Sequence, residues 1–273
     1  MAIAQERFTW QDGERTIDFG RGALADASSS LGEGFTLLTT ARARSIAPAL
    51  VQLAGDVHEV PAGRVDELAG ELLGAVRPGA LIVALGGGRV IDTAKALAAA
   101  RPLGERPRVA AVPTTLSAAE MTAVHRRAAG ADGSLAGVRP AIVINDPALS
   151  ASQPAAALAA SAANALGHAA EGPATIRASP VPALAGREAA RLIGVAYAGG
   201  GDPDRDTLAL AALLSGYAID GCGYGLHHVL SQTLARFAGV GHGQANAAML
   251  PHTLLALERR GARGAGELVA LAA

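Results

Sequence analysis

The first 150 residues of this chain alternate short apolar runs with longer stretches of helical spacing, and no other feature restricts the fold as much. Residues 35–40 (Phe-Thr-Leu-Leu-Thr-Thr) read as a buried strand, and a helical pattern follows over 41–53. Residues 57–60 form a second short strand, 65–76 are helical, and Pro78-Gly79 ends that pattern. The apolar run 80–85 leads into Gly86-Gly87-Gly88, 90–100 is helical, and 108–112 is a further strand before Pro113. This alternation predicts a parallel sheet with helices on both faces and right-handed crossovers. From Asp146-Pro147 onward the β-branched runs vanish. Ala/Leu-rich segments with helical spacing replace them, near 154–172, 181–197, 205–220, 225–237 and 243–260. The expected organisation is an α/β domain over 1–150 and an all-helical domain over 151–273, with 199–203 a loop between helices.

Half of the chain is hydrophobic but only 3% is aromatic, so Ala, Leu and Val must fill the core, which suits closely packed helices and a parallel sheet. A formal net charge of -1 leaves no electrostatic footprint for nucleic acid or an anionic membrane surface, so neither is expected as a partner. The lone Cys222 excludes an intrachain disulfide and a multi-cysteine metal site, and reads as a small buried side chain. The stretch Met1-Ala-Ile-Ala-Gln-Glu-Arg lacks the basic segment and apolar run of a signal peptide. The Ala-rich run 155–170 is interrupted by Ser161, Asn164 and His168, and no apolar stretch reaches bilayer length. A cytoplasmic protein is the expectation.

Two turns carry candidate cofactor chemistry. Gly86-Gly87-Gly88 follows an apolar strand and opens a helix with Asp92 and Lys95. Glycines let the backbone approach a pyrophosphate, and the first N–H groups of the helix supply donors. The spacing is not that of the G-x-G-x-x-G fingerprint, so a plain structural turn remains an alternative. Pro113-Thr114-Thr115 adds hydroxyls at the same carboxyl edge, where open α/β sheets bind ligands. In the helical half, Asn164 and His168 are four apart and share a helix face, as do His228 and Gln232, and His242 lies fourteen residues beyond His228. Three histidines with an oxygen donor form a plausible divalent-metal site that polarises a carbonyl. Without metal they line a pocket that protonates an alkoxide, or they are separate, satisfied polar groups. His58, His125 and His227 are placed in that last class, and His252 is left unassigned.

Together these segments resemble the iron-containing alcohol dehydrogenase superfamily, and within it the maleylacetate reductase-like branch. Residues 86–95 (Gly-Gly-Gly-Arg-Val-Ile-Asp-Thr-Ala-Lys) are similar to the family's glycine signature, and 113–122 resemble its Pro-Thr-Thr…Glu-x-Thr loop, with the shorter spacing of the reductases. Asp146-Pro147 matches the hinge motif, 164–171 (Asn-Ala-Leu-Gly-His-Ala-Ala-Glu) the first ligand helix, and 225–243 with Leu250-Pro251-His252 the second ligand region. The resemblance implies a dehydroquinate synthase-like fold: an α/β, Rossmann-like N-terminal domain binding NAD(H) or NADP(H), an all-α C-terminal domain, and a catalytic cleft between them. It implies that Gly86, Gly87, Gly88, Asp92, Thr114, Thr115 and the strand-end Thr39 face the cofactor. Asn164, His168, His228 and His242 take the four metal-ligand positions, and the three histidines serve catalysis. The implied reaction is hydride transfer from the nicotinamide to a carbonyl carbon or an activated double bond of a small molecule, in a homodimer.

The sequence also departs from the family. Asn164 stands where metal-dependent members carry Asp, so the charge compensation for Fe or Zn is lost and metal-independent reduction is the leading expectation. A metal-dependent alcohol dehydrogenase and a degenerate nucleotide-binding member are the alternatives. Gln232 replaces an extra histidine, Val229 stands where these reductases carry Lys, and Arg89 replaces a Ser. Thr39-Thr40 lack the Asp that favours NAD, and Arg42 and Arg44 leave NADPH open. The family usually continues through several helices after the position of Pro251-His252, so the resemblance implies a C-terminally shortened member, or helices supplied by a partner subunit.

Overall fold

The structure, a computed structural model, describes residues 7–132 and 137–262. The leader reading rests on a stretch that begins outside the described residues, at Met1–Glu6. The chain divides into two compact units: Met1–Thr115 with Ala119–Ser152, and Leu116–Ala118 with Gln153–Ala273.

The first unit is built on a seven-stranded sheet. It opens with a hairpin of β1 (Phe8–Asp12) and β2 (Arg15–Phe19), then α1 (Ala23–Leu31) and β3 (Phe35–Thr39). α2 (Ala41–Ile46) and α3 (Pro48–Leu53) lead to β4 (Ala54–Glu59), and α4 (Val65–Glu71) to β5 (Leu81–Gly86). α5 (Gly88–Ala99) then crosses to β6 (Arg108–Pro113), and β7 (Ile142–Asn145) completes the sheet. The strand order is β1-β2-β7-β6-β5-β3-β4, and every pairing is parallel except the β1–β2 hairpin. Alternate side chains enter opposite layers. Leu38, Ile82, Ala84, Val109 and Ala111 pack on one face against Leu68 of α4 and Ile91 and Ala94 of α5. Leu37, Val83, Leu85, Ala110 and Val112 pack on the other against Ala27 of α1, Ala43 of α2 and Leu50 of α3. Both faces are covered, as a parallel sheet requires.

Three features differ from the sequence reading. The pattern over 41–53 is two helices, because Pro48 starts α3 and its ring disfavours helical geometry at Ala47, which sits at φ -134° and ψ 57°. The β1–β2 hairpin was not anticipated, although Asp12-Gly13 is a hairpin-turn signal and Gly13 adopts φ 63°. β7 was also missed, its four residues being short for a periodicity argument.

The second unit contains α6 (Ala155–Ala174), α7 (Pro180–Tyr197), α8 (Arg205–Cys222), α9 (Leu226–Ala238) and α10 (His242–Arg259). Its core brings together Ala169 and Ala170 of α6, Ala189 and Ala190 of α7, and Leu250 and Leu254 of α10. Such small side chains stabilise the unit only if the helices approach closely. A methyl group at Gly186 would lie 2.9 Å from the Ala169 carbonyl oxygen and 3.0 Å from Pro173. Cys222 is buried and unpaired by disulfide. No helix of the described residues is long and apolar enough to cross a membrane.

Because the atoms met at Gly186 are backbone and a proline ring, α6 and α7 must move apart to admit any side chain. Gly186→Ala is expected to lower stability by about 1–3 kcal/mol, read as a lower denaturant midpoint at unchanged m-value.

Candidate functional site

In the first unit the carboxyl ends of β3, β5 and β6 lie side by side, with Thr39 opposite Leu85 and Gly86 opposite Pro113. From β3 the chain proceeds outward to β4 and returns at β5 on the other side of β3. This reversal is the position at which an open α/β sheet leaves a crevice for a ligand. Gly86, Gly87 and Gly88 span the end of β5 and the start of α5, whose N-cap Gly87 contributes no side-chain cap. A methyl group at Gly86 would meet Val90 Cγ2 at 2.6 Å, and one at Gly87 would meet Thr115 Oγ1 at 3.0 Å. A side chain at Gly86 would clash and one at Gly87 would crowd Thr115, so the turn presents bare backbone beside a helix N-terminus, the arrangement that fits a pyrophosphate.

Thr114 is buried, and its N–H donates to the Gly86 carbonyl at 3.0 Å, which ties the second turn to the first. The Arg42 guanidinium donates to Thr114 Oγ1 at 3.3 Å and to Ser152 Oγ at 2.9 Å, so this cation stands at the same edge. Thr39 is buried, with its hydroxyl directed to the Thr40 carbonyl, and Thr40 Oγ1 caps α2 by accepting from the Ala43 N–H. Asp92 is half-buried one turn into α5 and accepts from Lys95 Nζ at 2.8 Å. That fully buried ammonium also donates to the Ala119 carbonyl at 3.0 Å and to Thr122 Oγ1 at 3.4 Å. The Asp92–Lys95 pair thus holds residues 119–122. Arg89 is exposed.

Glu120 lies in that segment, fully buried, and neither carboxyl oxygen finds a hydrogen-bond partner in another residue. Burial pushes its pKa up to about 7, against the opposing pull of Lys95.

The second locus is in the helical unit. On α6, Asn164, His168 and Glu171 recur at spacings of four and three, share one face and are all buried. Glu171 reaches the N-terminus of α9, where Gly225 offers no capping side chain. Its Oε1 accepts from the backbone N–H groups of His227 (2.5 Å) and His228 (3.3 Å), and its Oε2 accepts from His228 Nδ1 at 2.6 Å. One carboxylate both caps the helix and orients an imidazole. Burial alone would raise the Glu171 pKa. The hydrogen bond and charge of His228, with the N–H groups of Gly225 and His228, outweigh it and hold the group below its usual value.

The His168 and His228 rings are stacked, with centroids 4.5 Å apart and planes 8° from parallel, and Tyr224 tilts against both. Burial, then the charges of His228, His242 and His227, depress His168 well below the usual histidine range, so it is neutral near pH 7. His228 Nε2, His168 Nδ1 and Asn164 Oδ1 are buried without hydrogen-bond partners. Buried polar atoms in that condition call for a bound group or solvent.

The structure therefore brings Asn164, His168 and His228 together, while His242 is exposed at the start of α10 and near enough for its charge to bear on His168. His227 is packed, with Nδ1 2.9 Å from Thr253 Oγ1. His125 is buried against the Arg126 carbonyl, His58 is half-buried in β4, and His252, Val229 and Gln232 are exposed. Glu171 and Tyr224 were not singled out from the sequence. The 164/168/171 spacing carried a signal for Glu171, whereas nothing local marked Tyr224.

These residues do not suit a metal ion as arranged. Among the described residues no three His, Cys, Asp or Glu side chains converge to hold one. An imidazole lone pair lies in the ring plane, so a cation about 2 Å from one nitrogen in its plane lies outside the plane of the parallel, stacked partner. Asn164 is neutral, and its Nδ2 points to the Ser117 carbonyl at 3.5 Å.

A sequence profile of iron-containing alcohol dehydrogenases matches residues 16–147, and the profile of the Fe-containing alcohol dehydrogenase family, C-terminal region, matches 158–268. The chain is 30% identical to the maleylacetate reductase of Sphingobium indicum over 261 residues, covering 87% of this chain and 72% of that one. It is 36% identical to the 1,3-propanediol dehydrogenase of Klebsiella pneumoniae over 118 residues, which are 41% of this chain and 30% of that enzyme. The crystal structure of maleylacetate reductase from Agrobacterium tumefaciens superposes with a TM-score of 0.80 at 26% identity, covering 98% of this chain and 80% of that one. An α/β sheet unit with a glycine turn at its carboxyl edge, and a helical unit with buried histidines, define the class. The chain belongs to the iron-containing alcohol dehydrogenase family, in its maleylacetate reductase-like branch.

The Glu120 carboxyl gives a pH test of the first unit. The folded state binds this proton more tightly than the unfolded chain, so its contribution is fully present below about pH 4.5 and is lost as pH rises through about 7. Glu120→Gln should leave stability unchanged at pH 4.5 and raise it by up to about 3 kcal/mol at pH 8, measured by denaturant titration at both pH values.

Proposed function

We propose that this protein is an NAD(P)H-dependent reductase of a small oxo compound that works without a bound metal. The observation that carries this reading is the buried Glu171–His228 pair, whose Nε2 is buried without a partner in a ring stacked on neutral His168. The first unit holds the nucleotide, with the pyrophosphate on the 86–88 turn and the N-terminus of α5, beside Thr114 and Thr115. The bound nucleotide supplies a hydride from C4 of its nicotinamide to the carbonyl carbon. The carbonyl oxygen then carries the displaced electron pair and requires one proton. His228 takes a second proton from solvent at Nε2, its charge balanced by Glu171. It then hydrogen-bonds that oxygen from Nε2 and delivers the proton, giving an alcohol, the oxidised nucleotide and His228 back in its Nδ1–H form. Neutral His168 and the Asn164 amide are further hydrogen-bond partners for the substrate, and His242 is a third histidine within electrostatic reach. The similarity to maleylacetate reductases supports an oxo acid as the substrate class. Val229 and Gln232 are exposed and add no cation for a second carboxylate.

The direct test is nucleotide titration and turnover of an oxo-acid and aldehyde panel with protein purified without chelators, together with elemental analysis of the same sample. NAD(P)H oxidation at substoichiometric metal is expected. About one metal ion per chain, with activity lost on chelation, would replace this reading with a metal-dependent alcohol dehydrogenase. Absence of nucleotide binding would leave a family fold without this chemistry.

Nucleotide choice is read at the β3 edge. Thr39 and Thr40 bring no carboxylate to repel a 2′-phosphate, and Arg42 places a cation there. Arg42→Ala is expected to weaken NADPH binding on the order of tenfold, one charge-assisted hydrogen bond, with a smaller effect on NADH. Equal losses for the two nucleotides would refute the assignment.

A further inference from the structure

We infer that Glu171 is a positioning residue: its carboxylate holds His228 in the Nδ1–H tautomer and leaves Nε2 as the atom that faces substrate. The inference rests on the role of His228 proposed above. An ionised carboxylate has only acceptors to offer, so a His228 Nδ1 at 2.6 Å from Glu171 Oε2 must carry the proton. The contact is buried on both sides, with the two side chains 1% and 2% exposed, so water does not compete for it. The opposite nitrogen, Nε2, is buried and unpartnered, and stays available to bond a ligand.

The second carboxylate oxygen makes the arrangement directional. Oε1 is committed to the His227 and His228 backbone N–H groups at the uncapped start of α9. Two separate donor sets therefore occupy the two acceptor oxygens of one side chain. Surrounding residues leave this carboxylate little freedom. A methyl group at Gly225 would come within 3.0 Å of Oε1. On the other side of the imidazole, His227 meets His228 edge-on with ring centroids 5.0 Å apart, and the stacked His168 ring closes one face. His228 is thus fixed by backbone, by ring packing and by one hydrogen bond, and of these only the hydrogen bond sets which nitrogen is protonated.

Glutamine at 171 separates these duties, because an amide has one acceptor oxygen. If that oxygen keeps the two backbone N–H groups, the NH2 group faces His228 Nδ1 and favours the Nε2–H tautomer. Aspartate keeps both acceptors on a shorter stem. The experiment records ¹⁵N imidazole spectra of histidine-labelled protein, with His228→Gln to assign the His228 signals, for wild type, Glu171→Gln and Glu171→Asp. Steady-state kinetics are measured on the same samples. Wild type and Glu171→Asp are expected to show a protonated Nδ1 and a bare Nε2 on His228, and Glu171→Gln the reverse. In Glu171→Gln the NH2 group at Nδ1 keeps His228 from taking up the second proton it must deliver. Its kcat should therefore fall about a hundredfold, the scale of one lost proton-transfer group, with KM for the nucleotide unchanged and partial recovery in Glu171→Asp. A wild-type Nε2–H tautomer, identical His228 signals in Glu171→Gln, or equal loss of kcat in both variants would overturn the inference. The spectra decide the tautomer without any turnover, so a protein that reduces no oxo compound but shows the expected spectra would refute the proposed reaction and leave the positioning intact.

Discussion

A methyl group at Gly225 would crowd the carboxylate of Glu171, one at Gly167 would lie 2.5 Å from His227 Nε2, and one at Gly186 would strike the Ala169 carbonyl. Close approach of backbone at small residues is the constraint on which the helical unit depends. A core of alanines has little area per residue to remove from water, so stability comes from many short contacts. That closeness also lets a side chain of α6 reach across and finish the N-terminus of α9. The same logic operates in the sheet unit. There the 86–88 turn is bare because Val90 and Thr115 occupy the space that side chains would need.

Electrostatics follows from this packing. Excluding water around α6 places Glu171, His168 and His228 in a low-dielectric setting, where hydrogen-bond geometry decides charge state. Glu171 keeps its charge because three N–H donors converge on it, while His168, buried and facing the charges of His228, His242 and His227, stays neutral. Two histidines stacked ring on ring therefore have distinct environments. In the first unit, Lys95 is buried with Asp92 and the 119–122 segment, whereas nearby Glu120 is buried without hydrogen bonds from other residues. The former pair secures the loop after Thr115, and the latter group makes that loop sensitive to pH.

Membership in the iron-containing alcohol dehydrogenase family does not by itself fix the chemistry, because family chemistry lives in the site. Here the position that would supply an anionic ligand is Asn164, and His168 and His228 present parallel planes. Both features favour a histidine-centred hydrogen-bond site over a coordination sphere. The glycine turn and its neighbouring threonines present backbone N–H groups and hydroxyls together at the carboxyl edge of the sheet.

Much of this was legible in the sequence, since strands β3, β5 and β6, α5 and helices α6 to α10 follow from periodicity and breakers. The two turns, and Asn164 and His168 on the α6 face, follow from spacing; Glu171 on the same face was not singled out. Strand order, the meeting of the β3, β5 and β6 edges, and the pairing of β2 with β7 were not legible, because non-local pairing leaves no local pattern. His228 was separated from its neighbour His227 by its spacing to Gln232 and by the resemblance, but its carboxylate partner was not legible. The sequence alone determined which residue types were available and on which helix faces they lie. Only the tertiary structure decided that Glu171, fifty-seven positions earlier, meets Nδ1 of one histidine and not the other, because hydrogen bonds form by distance in space.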